Sequence, residues 1–299
     1  MVSWSGHIIP FIVTVIIWFM ATGIIAWADN RGRATFRRSV MIGGFAGILG
    51  LVAILLSAFS VSVAAVYTAF IGALMVWGWH EIGFLTGAAA GPRRTPCAPG
   101  TRGLDRFVQA SATVLHHEVA LALTALMLIS LSWNAPNQIG VTVFVLLFGL
   151  RLSSKINLFV GVPNSTTEML PAHLDYLKSY FGANRLTALL AGSILAILAL
   201  AGWFASLAIA AAPGSPEMVG ASLLTALCLL GALEHVFLAL PFRDGMLWGW
   251  ALPKRGIGQE NPAQLAARSH NNPAQLAAGA QNTQNQTTAF KIGESTHGL

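Results

Sequence analysis

The sequence predicts an all-α, polytopic membrane protein with about seven transmembrane helices. Of its 299 residues, 55% are hydrophobic and 9% are charged, and the mean hydropathy is +0.66. Soluble domains carry about 25% charged residues, so this chain has too few charges to cover a water-facing body of its size. In addition, seven stretches are apolar enough to cross a bilayer core about 30 Å thick, which requires about 20 helical residues.

The seven predicted spans cover, in chain order, residues 8–28, 40–58, 61–86, 110–132, 139–159, 186–211 and 218–240. The second and third spans are almost continuous and are divided near residues 57–62. The first span is longer than the apolar core of a cleavable signal, and no basic region precedes it. We therefore expect it to remain as a transmembrane helix.

The distribution of basic residues predicts how the spans are oriented. Lys and Arg follow spans one, three, five and seven, whereas the N-terminus and the other three loops contain none. Cytoplasmic loops are enriched in Lys and Arg, which predicts an N-terminus outside and a cytoplasmic C-terminus. The same bias accounts for the net charge of +6. No nucleic-acid-binding module is visible, and no nucleic acid partner is expected.

The chain is expected to have two regions. Residues 1–255 form the transmembrane helical bundle, with a short cytoplasmic interfacial helix near 171–181, where the sequence becomes amphipathic. Residues 256–299 are rich in Asn, Gln, Ala, Ser and Thr. Such a composition has little apolar surface to bury, so a disordered polar tail is predicted.

Every glutamate within a predicted span is next to a histidine. Ionisable groups inside a membrane are costly and mark functional sites. At 1.5 Å per helical residue, His80, His116 and Glu234 each lie about 9 Å from the cytoplasmic end of their span. We therefore predict one His/Glu cluster on the cytoplasmic side, which is a candidate site for a metal or a pigment. Its candidate ligands are His80, Glu81, His116, His117, Glu118, Glu234 and His235.

Five more polar residues are expected to support this cluster. Arg151 and Lys155 are one helical turn apart on the fifth span, where they can offset the glutamates. Asn157 lies on the same span, and Asn164 follows the helix-breaking Gly-Val-Pro segment. His173, near the predicted interfacial helix, is expected to cap the cluster from the cytoplasmic side.

Three interpretations of the cluster remain open. It can be a buried network of ion pairs and hydrogen bonds that locks the bundle. It can be a metal site, because imidazole and carboxylate bind iron and other divalent metals. It can bind a tetrapyrrole such as bacteriochlorophyll through an axial histidine. The Glu-x-x-His spacing of di-iron carboxylate proteins is absent, because these pairs are adjacent and project about 100° apart on a helix.

Several segments together resemble the PuhE family, photosynthetic complex assembly proteins of phototrophic bacteria. The similarity covers roughly residues 1–255 and excludes the tail. The segments are WHEIGFLTG (79–87) with GPRR (91–94), HHE (116–118), KINLFVGVPN (155–164), LPAHLDYLKSYF (170–181) and EHVFLALP (234–241).

The resemblance implies a multi-pass protein of the bacterial inner or intracytoplasmic membrane, whose genes are associated with those of the reaction-centre H subunit. It implies a role in assembling the reaction centre and light-harvesting core, or in regulating bacteriochlorophyll supply, with subunits of these complexes as partners. It transfers no catalytic mechanism. The alternative from the residues is a membrane metal-dependent oxidase or hydroxylase that acts on a tetrapyrrole or a lipid.

Overall fold

The computed structural model describes residues 3–165, 170–240 and 244–252, and within these ranges the chain is helical without strands. Seven helices of the described residues are long and apolar enough to cross a membrane, which confirms the predicted fold class. The polar tail predicted for 256–299 lies outside the described residues. The seven helices are α1 (Ile9–Asp29), α2 (Phe36–Ala58), α3 (Val63–Leu85), α4 (Gly103–Leu131), α5 (Ile139–Val160), α6 (Ala188–Ala210) and α7 (Pro216–Ala239).

Local signals in the sequence explain where several helices begin and end. Ser62, Thr187 and Ser215 precede α3, α6 and α7, and each side-chain oxygen accepts a hydrogen bond from the backbone N–H three residues later. Such caps satisfy donors that have no partner within the first helical turn. Helix α5 ends before Gly161, whose φ of +135° is a conformation that glycine adopts readily.

Helix α7 is the central helix of the bundle. In its most apolar window 67% of the residues are buried, compared with 17–39% in the other six helices. Its buried residues Leu223 and Cys228 belong to the main core, together with Phe70 of α3 and Phe144 of α5. The other helices expose large apolar side chains such as Ile42 on their outer faces. This arrangement suits a bundle whose surroundings are lipid.

Helices α2 and α3 approach each other closely through two glycines. A Cβ atom at Gly50 would lie 2.5 Å from the carbonyl oxygen of Gly72, and one at Gly72 would lie 2.7 Å from that of Gly50. Small residues allow this approach, as is common between transmembrane helices.

A nine-residue 3-10 helix, Ala172–Tyr180, lies in the stretch where a short interfacial helix was predicted. Two arginines form hydrogen bonds that connect the end of this 3-10 helix to the neighbouring segments. Arg93 Nε donates to the Tyr180 hydroxyl at 2.6 Å, and Arg106 donates to the carbonyl oxygens of Tyr180 and Phe159 at 2.7 and 3.0 Å. This 3-10 helix therefore has a fixed position beside the end of α5, where it borders the site described next.

Candidate functional site

Two ion pairs lie one helical turn apart on α5. Arg151 Nη2 donates to Glu81 Oε2 of α3 at 2.9 Å, and Lys155 Nζ donates to Glu118 Oε1 of α4. The Glu81 side chain is 10% exposed and that of Arg151 is 37% exposed, whereas those of Glu118 and Lys155 are each 19% exposed. Helix α5 thus places its cations, at i and i+4, against carboxylates from two different helices. With two formal positive and two formal negative charges, the four groups balance one another.

His117 of α4 lies beside the first ion pair. Its side chain is fully buried, and its Nε2 is 3.9 Å from Glu81 Oε1, which is longer than a hydrogen bond. The imidazole packs on the ring of Phe84 with centroids 4.7 Å apart. Lys155 Nζ also lies 4.8 Å from the centre of the Phe84 ring, within the range of a cation–π contact. Phe84 therefore connects the imidazole to the second ion pair.

The two ion pairs face a cavity of about 730 Å³ between the helices. We call it the charged cavity and define it by Glu81, Glu118, Arg151 and Lys155. Helices α1, α3, α4, α5 and α7 contribute to its wall, and the 3-10 helix contributes Leu177 and Tyr180. Most of the lining is apolar or aromatic, for example Ile17, Trp18, Phe70, Leu74, Trp77, Leu150 and Leu227. A volume of this size is typical of small-molecule sites.

Three buried polar atoms of the charged cavity have no hydrogen-bond partner among the described residues. They are Glu81 Oε1, Glu118 Oε2 and Arg151 Nε. Leaving a buried donor or acceptor without a partner costs roughly 1–3 kcal/mol, and more for a charged group. The hydrogen bonding around the two ion pairs is therefore incomplete in the described structure.

The remaining predicted ligands are directed elsewhere. His80 Nε2 is 3.0 Å from the Thr124 hydroxyl, and His116 is exposed. His235 Nδ1 is 2.8 Å from the Gly231 carbonyl oxygen, and its Nε2 is 3.0 Å from the Ser153 hydroxyl. A carbonyl oxygen only accepts, so Nδ1 donates and, in the neutral imidazole, Nε2 accepts from the hydroxyl. Both nitrogens of that ring therefore have hydrogen-bond partners in the described structure.

Glu234 and the predicted supporting residues have separate roles. Glu234 lines the charged cavity and accepts a hydrogen bond of 2.8 Å from the Trp18 indole. Asn157 donates to the Ser193 hydroxyl at 3.0 Å, which connects α5 to α6. Asn164 donates to the carbonyl oxygens of residues 237 and 240 at the end of α7. These two asparagines stabilise the helix arrangement around the site.

His173 does not line the charged cavity. It packs against Phe36, with ring centroids 5.3 Å apart, and its Cδ2 lies close to Gly87. Burial lowers the pKa of its imidazole, a hydrogen bond with the Leu85 backbone opposes this shift, and Arg33 and Arg94 lower it further. His173 therefore belongs to the contact between the 3-10 helix and the ends of α2 and α3, and does not close the charged cavity.

The sequence-based prediction missed Asp29 and Trp18. Asp29 is 2% exposed at the end of α1, and neither carboxylate oxygen has a hydrogen-bond partner in the described part of the chain. The first span was predicted to end at residue 28, which placed this acid in a loop. Trp18 carries no polar signal in an apolar helix, and nothing in the sequence indicates its bond to Glu234.

The described residues include no group of three or more His, Cys, Asp or Glu side chains that could hold a metal ion. The carboxylates of Glu81 and Glu118 are already paired with cations. This geometry therefore gives no support to the predicted binding of iron or another divalent metal. It also gives no support to the alternative function as a metal-dependent oxidase or hydroxylase.

Fold and site together define a polytopic helical membrane protein with a charged cavity between its helices. The chain belongs to the family described as "Protein of unknown function (DUF3623)", whose family model matches residues 4–259. A Rhodobacter capsulatus protein described as "Uncharacterized 30.4 kDa protein in puhA 5'region" is 38% identical over 262 residues, which cover 86% of this chain and 93% of the relative. No solved structure matches the chain.

Proposed function

We propose that this protein is an integral membrane factor in the assembly of the photosynthetic reaction centre and light-harvesting core, or in the regulation of bacteriochlorophyll supply to it. Its functional centre is the charged cavity. The relative from Rhodobacter capsulatus is encoded in the puhA 5' region, which supports a role related to photosynthesis. The resemblance to the PuhE family supports the more specific assembly role, with reaction-centre or light-harvesting subunits as partners.

The single observation that carries this proposal is the combination of a large apolar cavity with two intramembrane ion pairs. Replacing a buried ion pair by apolar residues is often neutral or stabilising, so stability alone gives little reason for such charges. Charged groups in a membrane bundle that face a cavity are typical of functional sites. We therefore assign the activity of the protein to this cavity.

We further propose that the protein resides in the bacterial inner membrane with its basic loops in the cytoplasm. Arg93, Arg94 and Arg106 lie in or near the connection between α3 and α4, and Arg31 and Arg33 lie between α1 and α2. Both connections are on the side of the bundle where Glu81 and Glu118 are found. The charged cavity is then close to the membrane surface from which cytoplasmic assembly partners approach.

The proposal is tested by complementation in Rhodobacter capsulatus that lacks its own relative. The wild-type chain is expected to restore the level of reaction-centre and light-harvesting absorbance in isolated membranes. The double variant Glu81→Gln/Arg151→Gln removes one ion pair as a unit, so that neither charge is left without its partner. We expect it to accumulate in the membrane but to restore less than about a tenth of the absorbance difference.

The matched control is Asp175→Asn/Lys178→Gln, which neutralises an ion pair of 2.6 Å on the 3-10 helix that is partly exposed. This control is expected to complement fully. If deletion of the relative leaves the absorbance of photosynthetic complexes unchanged, the proposed role is refuted. If the deletion has an effect but the Glu81/Arg151 variant complements as well as the control, the charged cavity is not the functional centre.

A further inference from the structure

Four exposed arginines lie where α1 ends and α2 begins. We call them the arginine cluster, which consists of Arg31, Arg33, Arg37 and Arg38. No Asp or Glu occurs in the sequence between Asp29 and Glu81, and Asp29 is only 2% exposed. Glu81 is paired with Arg151 inside the bundle. No acidic side chain of this stretch therefore offsets the four positive charges at the surface.

The guanidinium groups of the arginine cluster have no hydrogen-bond or ion-pair partner among the described residues. Arg31 only stacks over the ring of Trp27, 3.7 Å from its centre. By contrast, Arg93, Arg94 and Arg106, in or near the α3–α4 connection, each donate to an oxygen atom of the protein. The arginine cluster differs from these arginines because its donors remain available to a partner outside the chain.

The outer face of α2 next to the arginine cluster is apolar. Met41 and Phe45 follow Arg37 at intervals of four residues, and such residues lie on one face of a helix. Ile42 follows Arg38 at the same interval. The three apolar side chains are exposed by 61%, 65% and 70% of their surface. The positive charge of the arginine cluster is therefore continuous with an apolar surface that faces outward from the bundle.

This combination specifies the chemistry of the partner. Guanidinium groups bind phosphate through paired hydrogen bonds and stay charged at every accessible pH. A zwitterionic phospholipid carries an ammonium group that offsets its phosphate, whereas an anionic phospholipid presents net negative charge, which arginines near the membrane surface attract. An acidic protein segment has the charge as well, but it lacks the acyl chains that would cover the adjoining apolar side chains.

We propose that the arginine cluster binds the head of an anionic phospholipid, such as phosphatidylglycerol or cardiolipin. The phosphate lies against the guanidinium groups, and the acyl chains lie along Met41, Ile42 and Phe45 of α2. The site shares no residue with the charged cavity, so it is independent of the proposed function.

Two of the arginines can be neutralised without disturbing the packing of the bundle. Arg37 and Arg38 are exposed and have no side-chain partner in the described structure, so Arg37→Gln/Arg38→Gln is expected to fold. The other two members of the cluster keep this connection basic, which preserves the charge bias that orients the spans. The matched control is Arg102→Gln/Arg185→Gln, because these two arginines are also exposed, lack such partners and lie at other helix connections.

The experiment measures lipid binding to the full-length protein by native mass spectrometry from detergent. Dioleoyl phosphatidylglycerol, cardiolipin and dioleoyl phosphatidylcholine are titrated separately, and the apparent Kd of the first bound lipid is determined for each. We expect at least one anionic lipid to bind the wild type about tenfold or more tightly than phosphatidylcholine. This preference should fall to about twofold or less in Arg37→Gln/Arg38→Gln and stay within about twofold of the wild-type preference in the control.

The proposal is overturned if neither anionic lipid binds more tightly than phosphatidylcholine, or if the two glutamine variants lose the preference equally. Displacement of the lipid by an equal concentration of glycerol 3-phosphate would also overturn it, because the site would then recognise a soluble phosphate without acyl chains. Displacement by an equal concentration of hexaglutamate would assign the arginine cluster to an acidic protein segment instead. The lipid comparison and both displacement tests use the wild-type chain, so they decide the proposal whether or not a variant folds.

Discussion

The ion pair between Lys155 and Glu118 allows the energetics of the charged cavity to be measured directly. Lys155→Met keeps the apolar stem of the side chain and removes its charge, which leaves the Glu118 carboxylate without its cation. Removing one partner of a buried pair costs roughly 3–5 kcal/mol, whereas a surface pair contributes about 0–1 kcal/mol. Both side chains are 19% exposed. We therefore expect the low end of the buried range, about 3 kcal/mol, or roughly a 100-fold change in the unfolding equilibrium.

The reciprocal variant and the double variant complete the cycle. Glu118→Gln leaves the Lys155 ammonium without its carboxylate and is expected to destabilise the protein by a similar amount. Lys155→Met/Glu118→Gln leaves no charge unpaired, and its cost is expected to be about 1 kcal/mol, because replacing a buried pair as a unit is close to neutral. The coupling energy between the two sites would then be several kcal/mol, well above the roughly 0.5 kcal/mol within which independent sites are additive.

The assay is reversible unfolding in mixed micelles with increasing SDS, followed by far-ultraviolet circular dichroism. The control cycle uses Lys178→Met and Asp175→Asn, whose side chains are 34% and 56% exposed, and we expect its coupling energy to stay below about 1 kcal/mol. Additive effects of the Lys155 and Glu118 substitutions would show that the two groups do not interact in the folded protein. That result would refute the described geometry of the site.

Two further predictions concern the surroundings of the site. Gly50→Ala places a Cβ against the backbone of α3 and is expected to destabilise the bundle by about 1–3 kcal/mol. Gly149→Ala is the control, because an added Cβ there meets nothing within 4 Å, and the stability of the protein to SDS should be unchanged or slightly increased. Burial and, to a lesser extent, Arg33 and Arg94 hold the pKa of His173 below its ordinary value of about 6.5, so the unfolded chain binds this proton more readily than the folded protein. Stability linked to His173 is therefore present above that value and lost as the pH falls, and the melting temperature of His173→Gln should drop less than that of the wild type between pH 7 and pH 5. An equal drop in the two melting temperatures would contradict the buried environment assigned to His173.

The sequence predicted the helices well because their signals are local. The span expected over 139–159 is the helix Ile139–Val160, and Ser215 followed by Pro216 marks the start of α7 where hydropathy rises. Hydropathy, caps and helix breakers depend on neighbouring residues only, so they can be recognised without knowledge of the packing. The cavity cannot be recognised in this way, since its wall combines residues from helices that are far apart in the chain.

The rotation of each helix about its axis is the information that the sequence lacks. His116 and His117 are adjacent in an apolar helix, yet the first is exposed and the second is fully buried beside Glu81. Successive residues project about 100° apart, so at most one of them can face the bundle interior. Hydropathy does not decide which one, because α4 is apolar on its lipid-facing side as well as on its packed side. The sequence therefore allowed the depth of the cluster in the membrane to be estimated, but it could not show which residues belong to the cluster.

The two ion pairs differ from the other polar groups inside the bundle in their position at the wall of the charged cavity. His80 and His235 have hydroxyl or carbonyl partners from their own or neighbouring helices, as expected of groups that fix helix positions. Glu81, Glu118 and Arg151 are paired as ions, but each retains a buried polar atom without a partner in the described structure, and all three line the same cavity. Unpartnered buried atoms also occur on residues that fix helix positions, such as Asn157 Oδ1, so they do not by themselves indicate a ligand. The ion pairs are distinguished by their position, because they line a space large enough for a small molecule, which a network that only locked the bundle does not require.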